Sequence, residues 1–284
     1  MLPKTILEHY NVEAGDVQTL AGGDINDVYL LRIQSTASIV IKVNDANRFP
    51  GMFEKEAEGL RLLASTASFR IPAVISVLKI DGKQILELEF IESGDSDVDF
   101  PMEFGLSLAK LHNHSSSTFG GVSDNYIGSL NQSNTSYDSW TSFFVNERII
   151  PLIKLSVDGG IIGSTERKQV ESFFRFVDEL WPKETPALIH GDLWSGNYMV
   201  SKTGRSVLID PAVYYGHREM DLGMMKLFGG FDHRIFEVYH QAFPLEKGWE
   251  KRVPYNQLYP LLVHLCLFGR GYWSSIQNIV RDFS

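Results

Sequence analysis

The chain has 284 residues, 44% of them hydrophobic and 21% charged, with a formal net charge of −9. This is a globular composition, and the length exceeds the ~100–200 residues of a usual single domain, so two coupled lobes are expected. No block of five like charges occurs, which excludes the concentrated basic face of a nucleic-acid binder.

No apolar run approaches the ~20 residues that a membrane helix needs. The N-terminus shows no charged-then-apolar leader. The single cysteine, Cys266, lies in the apolar run Leu261–Phe268 and is expected as a buried, unreactive helical position. One thiol cannot close an internal disulfide. A cytoplasmic, reducing location and no membrane partner are the resulting expectations.

In chain order, Asp27–Ile33 and Ser38–Val43 are short β-rich runs joined by the polar turn 34–37, a hairpin pattern. Phe53, Ala57, Leu60 and Ala64 recur at helical spacing and predict an amphipathic helix over 53–64. Strands are expected over 73–80 and 84–91, joined by the turn Asp81-Gly82-Lys83. The small polar stretch Ser93–Asp97 then marks a boundary, giving lobes of 1–92 and 93–284. Beyond it, helices are expected near 100–114, 137–155, 164–180, 218–229, 232–243 and 256–280. A β-rich island over 187–209 interrupts them, and 131–136 reads as a polar loop. Strands followed by helices predict an α+β fold with a small β-rich N-lobe and a larger helical C-lobe.

The strongest signal is His190-Gly191-Asp192-Leu193-Trp194-Ser195-Gly196-Asn197, set between apolar runs. Its acid and amide are spaced as in the catalytic loop of protein kinases. One turn of loop lets Asp192 face a nucleophilic hydroxyl while Asn197 reaches back to a metal ion on the phosphates. Downstream, the apolar Ser206–Ile209 ends in Asp210-Pro211, which delivers a carboxylate to a fixed point. Asn197 and Asp210 together suffice for Mg²⁺, which keeps waters and phosphate oxygens as its other ligands. Lys42 stands in the otherwise apolar run Ile39–Val43 and needs an anionic partner or an exposed face. ATP phosphates and a helix glutamate would serve; Glu56 is the expected partner, with Glu54 and Glu58 as alternatives. Gly22, Gly23 and Asp24 precede the lysine strand and form a candidate phosphate-covering loop.

These residues resemble the fructosamine kinase (ketoamine 3-kinase) family, within the aminoglycoside phosphotransferase and choline kinase-like group. The resemblance rests on His190–Asn197, Asp210-Pro211-Ala212, Tyr215–Leu222, Leu227–Phe231, Gly22–Asn26, Ile41–Asn44 and Met52–Glu56. It implies a two-lobed, protein-kinase-like fold and ATP-dependent phosphorylation of the 3-hydroxyl of a ketoamine, after which the sugar is shed. It makes Asp192 the base, Asn197 and Asp210 the metal ligands, and Lys42 with Glu56 the phosphate anchor. Leu88–Ile91 becomes the hinge, with adenine on backbone groups of Glu89 and Ile91 around Phe90. Some members of the family link two subunits by a cysteine in the Gly-rich loop. This chain has none there, so a monomer is expected rather than a disulfide-linked dimer. Trp194 could stack on a sugar, cover a cationic amine, or simply pack. His217 and Arg218 could bind sugar hydroxyls or stabilise the loop after Asp210, and Arg218 could instead pair with Glu219 or Asp221. A kinase for an aminoglycoside, choline or hydroxylated amino acid shares the catalytic loop. A nucleotide-binding pseudokinase would lack one of Lys42, Asp192, Asn197 or Asp210, and all four are present.

Overall fold

The computed structural model describes residues 2–20, 25–33 and 37–281. Its chain divides into two compact units, Met1–Phe100 with Gly196–Pro211, and Pro101–Ser195 with Ala212–Ser284.

The first unit opens with helix α1 (Lys4–Tyr10), followed by strands β1 (Val17–Thr19), β2 (Asp27–Leu31) and β3 (Ile39–Asp45). Helix α2 (Met52–Ser65) and strands β4 (Val74–Ile80) and β5 (Lys83–Glu89) follow. The strands form one antiparallel sheet in the order β1-β2-β3-β5-β4. Side chains alternate across a strand, so β3 has two characters. Ile41 and Val43 face a core with Ile6 of α1 and with Leu2, two residues before that helix. Lys42 and Asn44 face the other way, toward α2. Asp81 and Gly82 both take positive φ, which is what a two-residue hairpin turn between β4 and β5 requires.

In the second unit, α3 (Phe100–His112) leads to the small hairpin β6 (Asn125–Ile127) and β7 (Leu130–Gln132). The stretch expected as one helix over 137–155 is α4 (Trp140–Phe143), a π-helical turn (Phe144–Ile149) and α5 (Ile150–Asp158). Pro151, which lacks an N–H, stands at the start of α5. Next come α6 (Ser164–Phe173), α7 (Val177–Leu180) and β8 (Ala187–Ile189). The hairpin β9 (Tyr198–Val200) and β10 (Ser206–Leu208) belongs to the first unit. The second unit resumes with β11 (Tyr214–Gly216), α8 (Glu219–Leu227), α9 (His233–Ala242), α10 (Trp249–Asn256), α11 (Leu258–Phe268) and α12 (Trp273–Val280). Gly269 has φ +89° and ends α11, dividing the helix expected over 256–280. Its core gathers Leu258, Leu262 and Leu265 of α11 with Trp140, Phe144 and Trp181.

By contacts, the first unit runs on to Phe100 and takes in the β9–β10 hairpin, which backbone pairing holds to it. Ser93 bridges Ser201, Gly94 N–H donates to the Val200 carbonyl at 2.9 Å, and Lys202 N–H to that of Glu92 at 2.8 Å. On the other edge of the hairpin, Arg70 bridges Val207.

Cys266, on α11, lies 3.1 Å from Ser156 Oγ, and burial pushes its thiol up. Less thiolate at a given pH means slower alkylation. Iodoacetamide labelling of the folded protein near pH 7.5 should run at least about tenfold slower than labelling of free cysteine. Labelling as fast as a free thiol would contradict this packing.

Candidate active site

In the first unit, the Lys42 ammonium is only 5% exposed and donates to Glu56 Oε1 at 2.7 Å and to Asp210 Oδ1. Burial alone would lower the Lys42 pKa, but the Asp210 and Glu56 carboxylates outweigh it and raise it. Glu56 is itself pushed up by burial, against the pull of Lys42. The alternatives are engaged elsewhere on α2: Glu54 with Lys79 at 3.6 Å and Glu58 with Lys55 at 3.1 Å. Asp210 has φ +55°, a strained conformation for a non-glycine residue.

Asn197 immediately precedes β9 and is 5% exposed. The register Tyr198–Leu208 carries one step further, because Ile209 N–H donates to the Asn197 carbonyl at 3.0 Å. The hairpin thus brings the residues flanking it, Asn197 and Asp210, to the same end. Both offer hard oxygens, which suit Mg²⁺. Among the described residues no group of three or more His, Cys, Asp or Glu could cage a metal. The pair fits a cation that completes its shell with phosphate and water. At the end of β5, Glu89 N–H donates to the Ala73 carbonyl at 2.9 Å, and Ile91 is buried. Phe90 between them is half-buried. Gly22, Gly23 and Asp24 lie outside the described residues.

In the second unit, β8 pairs with β11 and runs directly into His190-Gly191-Asp192. Gly191 has φ +84°, and a Cβ there would sit 2.1 Å from the Ala212 carbonyl oxygen, so only glycine fits. The loop is held by Asp221 on α8, a fully enclosed carboxylate. His190 N–H donates to Asp221 Oδ2 at 2.8 Å and Gly191 N–H to Oδ1 at 2.9 Å. His112 Nε2 lies 3.2 Å from Oδ2, and its other ring nitrogen is 2.8 Å from the Tyr239 hydroxyl. Burial would raise the Asp221 pKa, but these donors hold it below the usual carboxylate value.

Asp192 shares a pocket with Gly191, Tyr214, Tyr259 and His264. Behind the two tyrosines lies Arg148, fully buried on the π-helical turn, 4.0 Å from the Tyr214 ring centroid and 5.4 Å from that of Tyr259. Trp194 is 37% exposed and meets Phe228 edge-on at 6.3 Å.

Two expectations change. The His217 side chain is wholly enclosed, beside the Trp140 ring at 6.0 Å, and burial lowers its pKa. An enclosed neutral ring supports its own turn and presents nothing to a substrate. Arg218 pairs with neither Glu219 nor Asp221. It makes a two-pronged pair with Glu184 at 2.8 and 2.7 Å and donates to the Phe243 and Pro244 carbonyls. Glu219 binds Arg252 instead. Asp221, His112, Arg148 and Tyr259 were not identified from sequence. The one available signal was an acid between Met220 and Leu222 in a buried-looking helix.

The depressed Asp221 pKa makes its stabilisation present above the unfolded value of about 3.9 and lost as pH falls through the lower folded value. Replacing Asp221 by Asn should cost about 2–3 kcal/mol of unfolding free energy near pH 7, as expected for lost charged hydrogen bonds. In urea titrations, the gap to wild type should hold down to about pH 4 and close only below it. A gap that closes near pH 6 would refute the assignment.

A sequence profile of the fructosamine kinase family matches residues 4–283. A chain of Enterococcus faecium named "Probable ketoamine kinase" is 37% identical over 277 residues, 95% of each chain. The chloroplastic protein-ribulosamine 3-kinase of Oryza sativa subsp. japonica is 34% identical over 273 residues, 94% of this chain and 78% of that one. A crystal structure from Thermobifida fusca designated a fructosamine-3-kinase superposes with a TM-score of 0.86 at 31% identity, covering 99% of both chains. The chain therefore belongs to the fructosamine kinase family and is a phosphotransferase of kinase-like α+β fold.

Proposed function

We propose that this phosphotransferase moves the γ-phosphoryl group of ATP to the 3-hydroxyl of a fructosamine or ribulosamine, the first step of deglycation. The carrying observation is that the Glu56 and Asp210 carboxylates converge on the Lys42 ammonium, within a chain that matches the family over 4–283.

Lys42, fixed by Glu56, holds phosphate oxygens of the nucleotide. The backbone of Glu89 and Ile91, on either side of Phe90, takes the adenine edge. Asn197 and Asp210 would hold Mg²⁺, whose charge offsets that building on the phosphates. Asp192 accepts a hydrogen bond from the 3-hydroxyl and orients it. As the oxygen–phosphorus bond forms and the bond to ADP breaks, Asp192 takes the hydroxyl proton. Its task is mainly positioning, since bond breaking leads in a loose transition state. Trp194, exposed beside this loop, is the candidate cover for the sugar or its amine.

No described helix is long and apolar enough to cross a membrane. A single free, half-buried thiol suits a reducing cytoplasm and a monomer without a disulfide link.

The deciding measurement is mass spectrometry of a glycated lysine derivative incubated with enzyme, ATP and Mg²⁺. One added phosphate followed by release of the free amine is expected. Efficient phosphorylation of choline or an aminoglycoside, with no ketoamine turnover, would remove the substrate assignment. Asp192→Asn should lower turnover at least ~100-fold while the Kd for ATP stays within about threefold, because the base touches the acceptor alone. Retention of a tenth of the activity would contradict that role.

A further inference from the structure

The β9–β10 hairpin, which carries Asn197 and Asp210 at its end, is tied along both edges to the segments around the hinge. On the β9 edge, residues 92–94 pair with it just after the hinge. On the β10 edge, Arg70 N–H donates to the Ser206 carbonyl at 3.3 Å, and Leu208 N–H donates back to the Arg70 carbonyl at 3.1 Å. The Arg70 side chain then turns to the hinge. Its Nη2 donates to Glu89 Oε1 at 2.5 Å, while Glu89 Oε2 accepts from Ala73 N–H at 3.2 Å. Glu89 N–H returns a bond to the Ala73 carbonyl at 2.9 Å.

The short stretch Arg70–Ala73 thus grips the hinge through Glu89 and the Asp210 strand through the backbone of Arg70. An ion pair with side chains 43% and 37% exposed adds only about 0–1 kcal/mol to stability. Its consequence is geometric, because it closes a ring of contacts between the two ends of one nucleotide site.

We propose that Arg70 is a positioning residue for the nucleotide, acting through Glu89 to fix the span between the adenine-binding hinge and the Asn197–Asp210 end. This rests on the ATP-binding reading above. A ligand that engages two linked half-sites gains from both only when their spacing matches its own length. A ligand that engages one end is indifferent to that spacing.

Calorimetric titration of wild type, Arg70→Met and Arg70→Lys with adenosine and with MgATP separates the two. The Arg70 side chain is exposed, so the variants should fold, and thermal melting checks this. Arg70→Met should leave the adenosine Kd within about twofold and weaken MgATP by about five- to tenfold. Arg70→Lys should recover part of the loss, since an ammonium can still reach one Glu89 oxygen. Equal weakening of both ligands would reduce Arg70 to a local support of the hinge and overturn the inference. Unchanged MgATP affinity in Arg70→Met would overturn it too. A wild type that binds no MgATP would instead overturn the proposed function, and the inference with it.

Discussion

Lys42 lies on the middle strand of the first unit's sheet, and an ammonium buried there must find counter-charges at hydrogen-bond range or be strongly destabilising. Glu56 answers this from α2, which fixes the rotation of that helix about its axis. Asp210 answers it from a point 168 residues further along the chain. Three segments are therefore pinned by one charge. The pinning also accounts for Asp210 keeping a positive φ, since local strain persists only where surrounding contacts over-determine it. One ammonium between two carboxylates leaves the cluster net negative. Under the proposed function, that excess negative charge is what makes the Asp210 carboxylate a candidate ligand for a divalent cation.

The second unit solves a similar problem with the opposite sign. Asp221 is a buried anion, and most of its compensation comes from backbone dipoles and a histidine. Because its donors are the N–H groups of His190 and Gly191, the carboxylate fixes the path of the loop that presents Asp192. The adjoining glycine makes the constraint strict, as the close approach to Ala212 leaves no space for a side chain. Arg148 then backs the tyrosines lining the pocket beside Asp192.

The sequence pointed to Lys42, Glu56 and Asp210, which the fold brings together, and to Asn197, at the same end of the hairpin as Asp210, and Asp192, in the pocket with Tyr214 and Tyr259. Strands β2 to β5 were also legible to within about two residues, through β-rich runs bounded by polar turns. It did not show α1, whose single helical face covers only Ile6 and its neighbours and spans too few turns for periodicity to register. The end of β7 was read as part of a polar loop because Asn131 and Gln132 are polar, and Gln132 pairs with Asn125 of β6. Asn125 and Gln132 are buried, satisfied by each other and by the Val213 and Ala212 carbonyls. The same reason hid Asp221 and misplaced His217. Burial of a polar group is a tertiary property, and a linear pattern reads such groups as surface.

Between Asp192 and Ala212 the chain passes from the second unit to the first and back. The residues assigned to nucleotide and metal are all anchored in the first unit, by Lys42 and by the hairpin's two edges. The loop of Asp192, the proposed base, is anchored in the second, by Asp221. Only four residues separate Asp192 from Asn197 in the chain. The motif His190–Asn197 therefore spans both anchorages, its start held through Asp221 and its Asn197 end by the hairpin register.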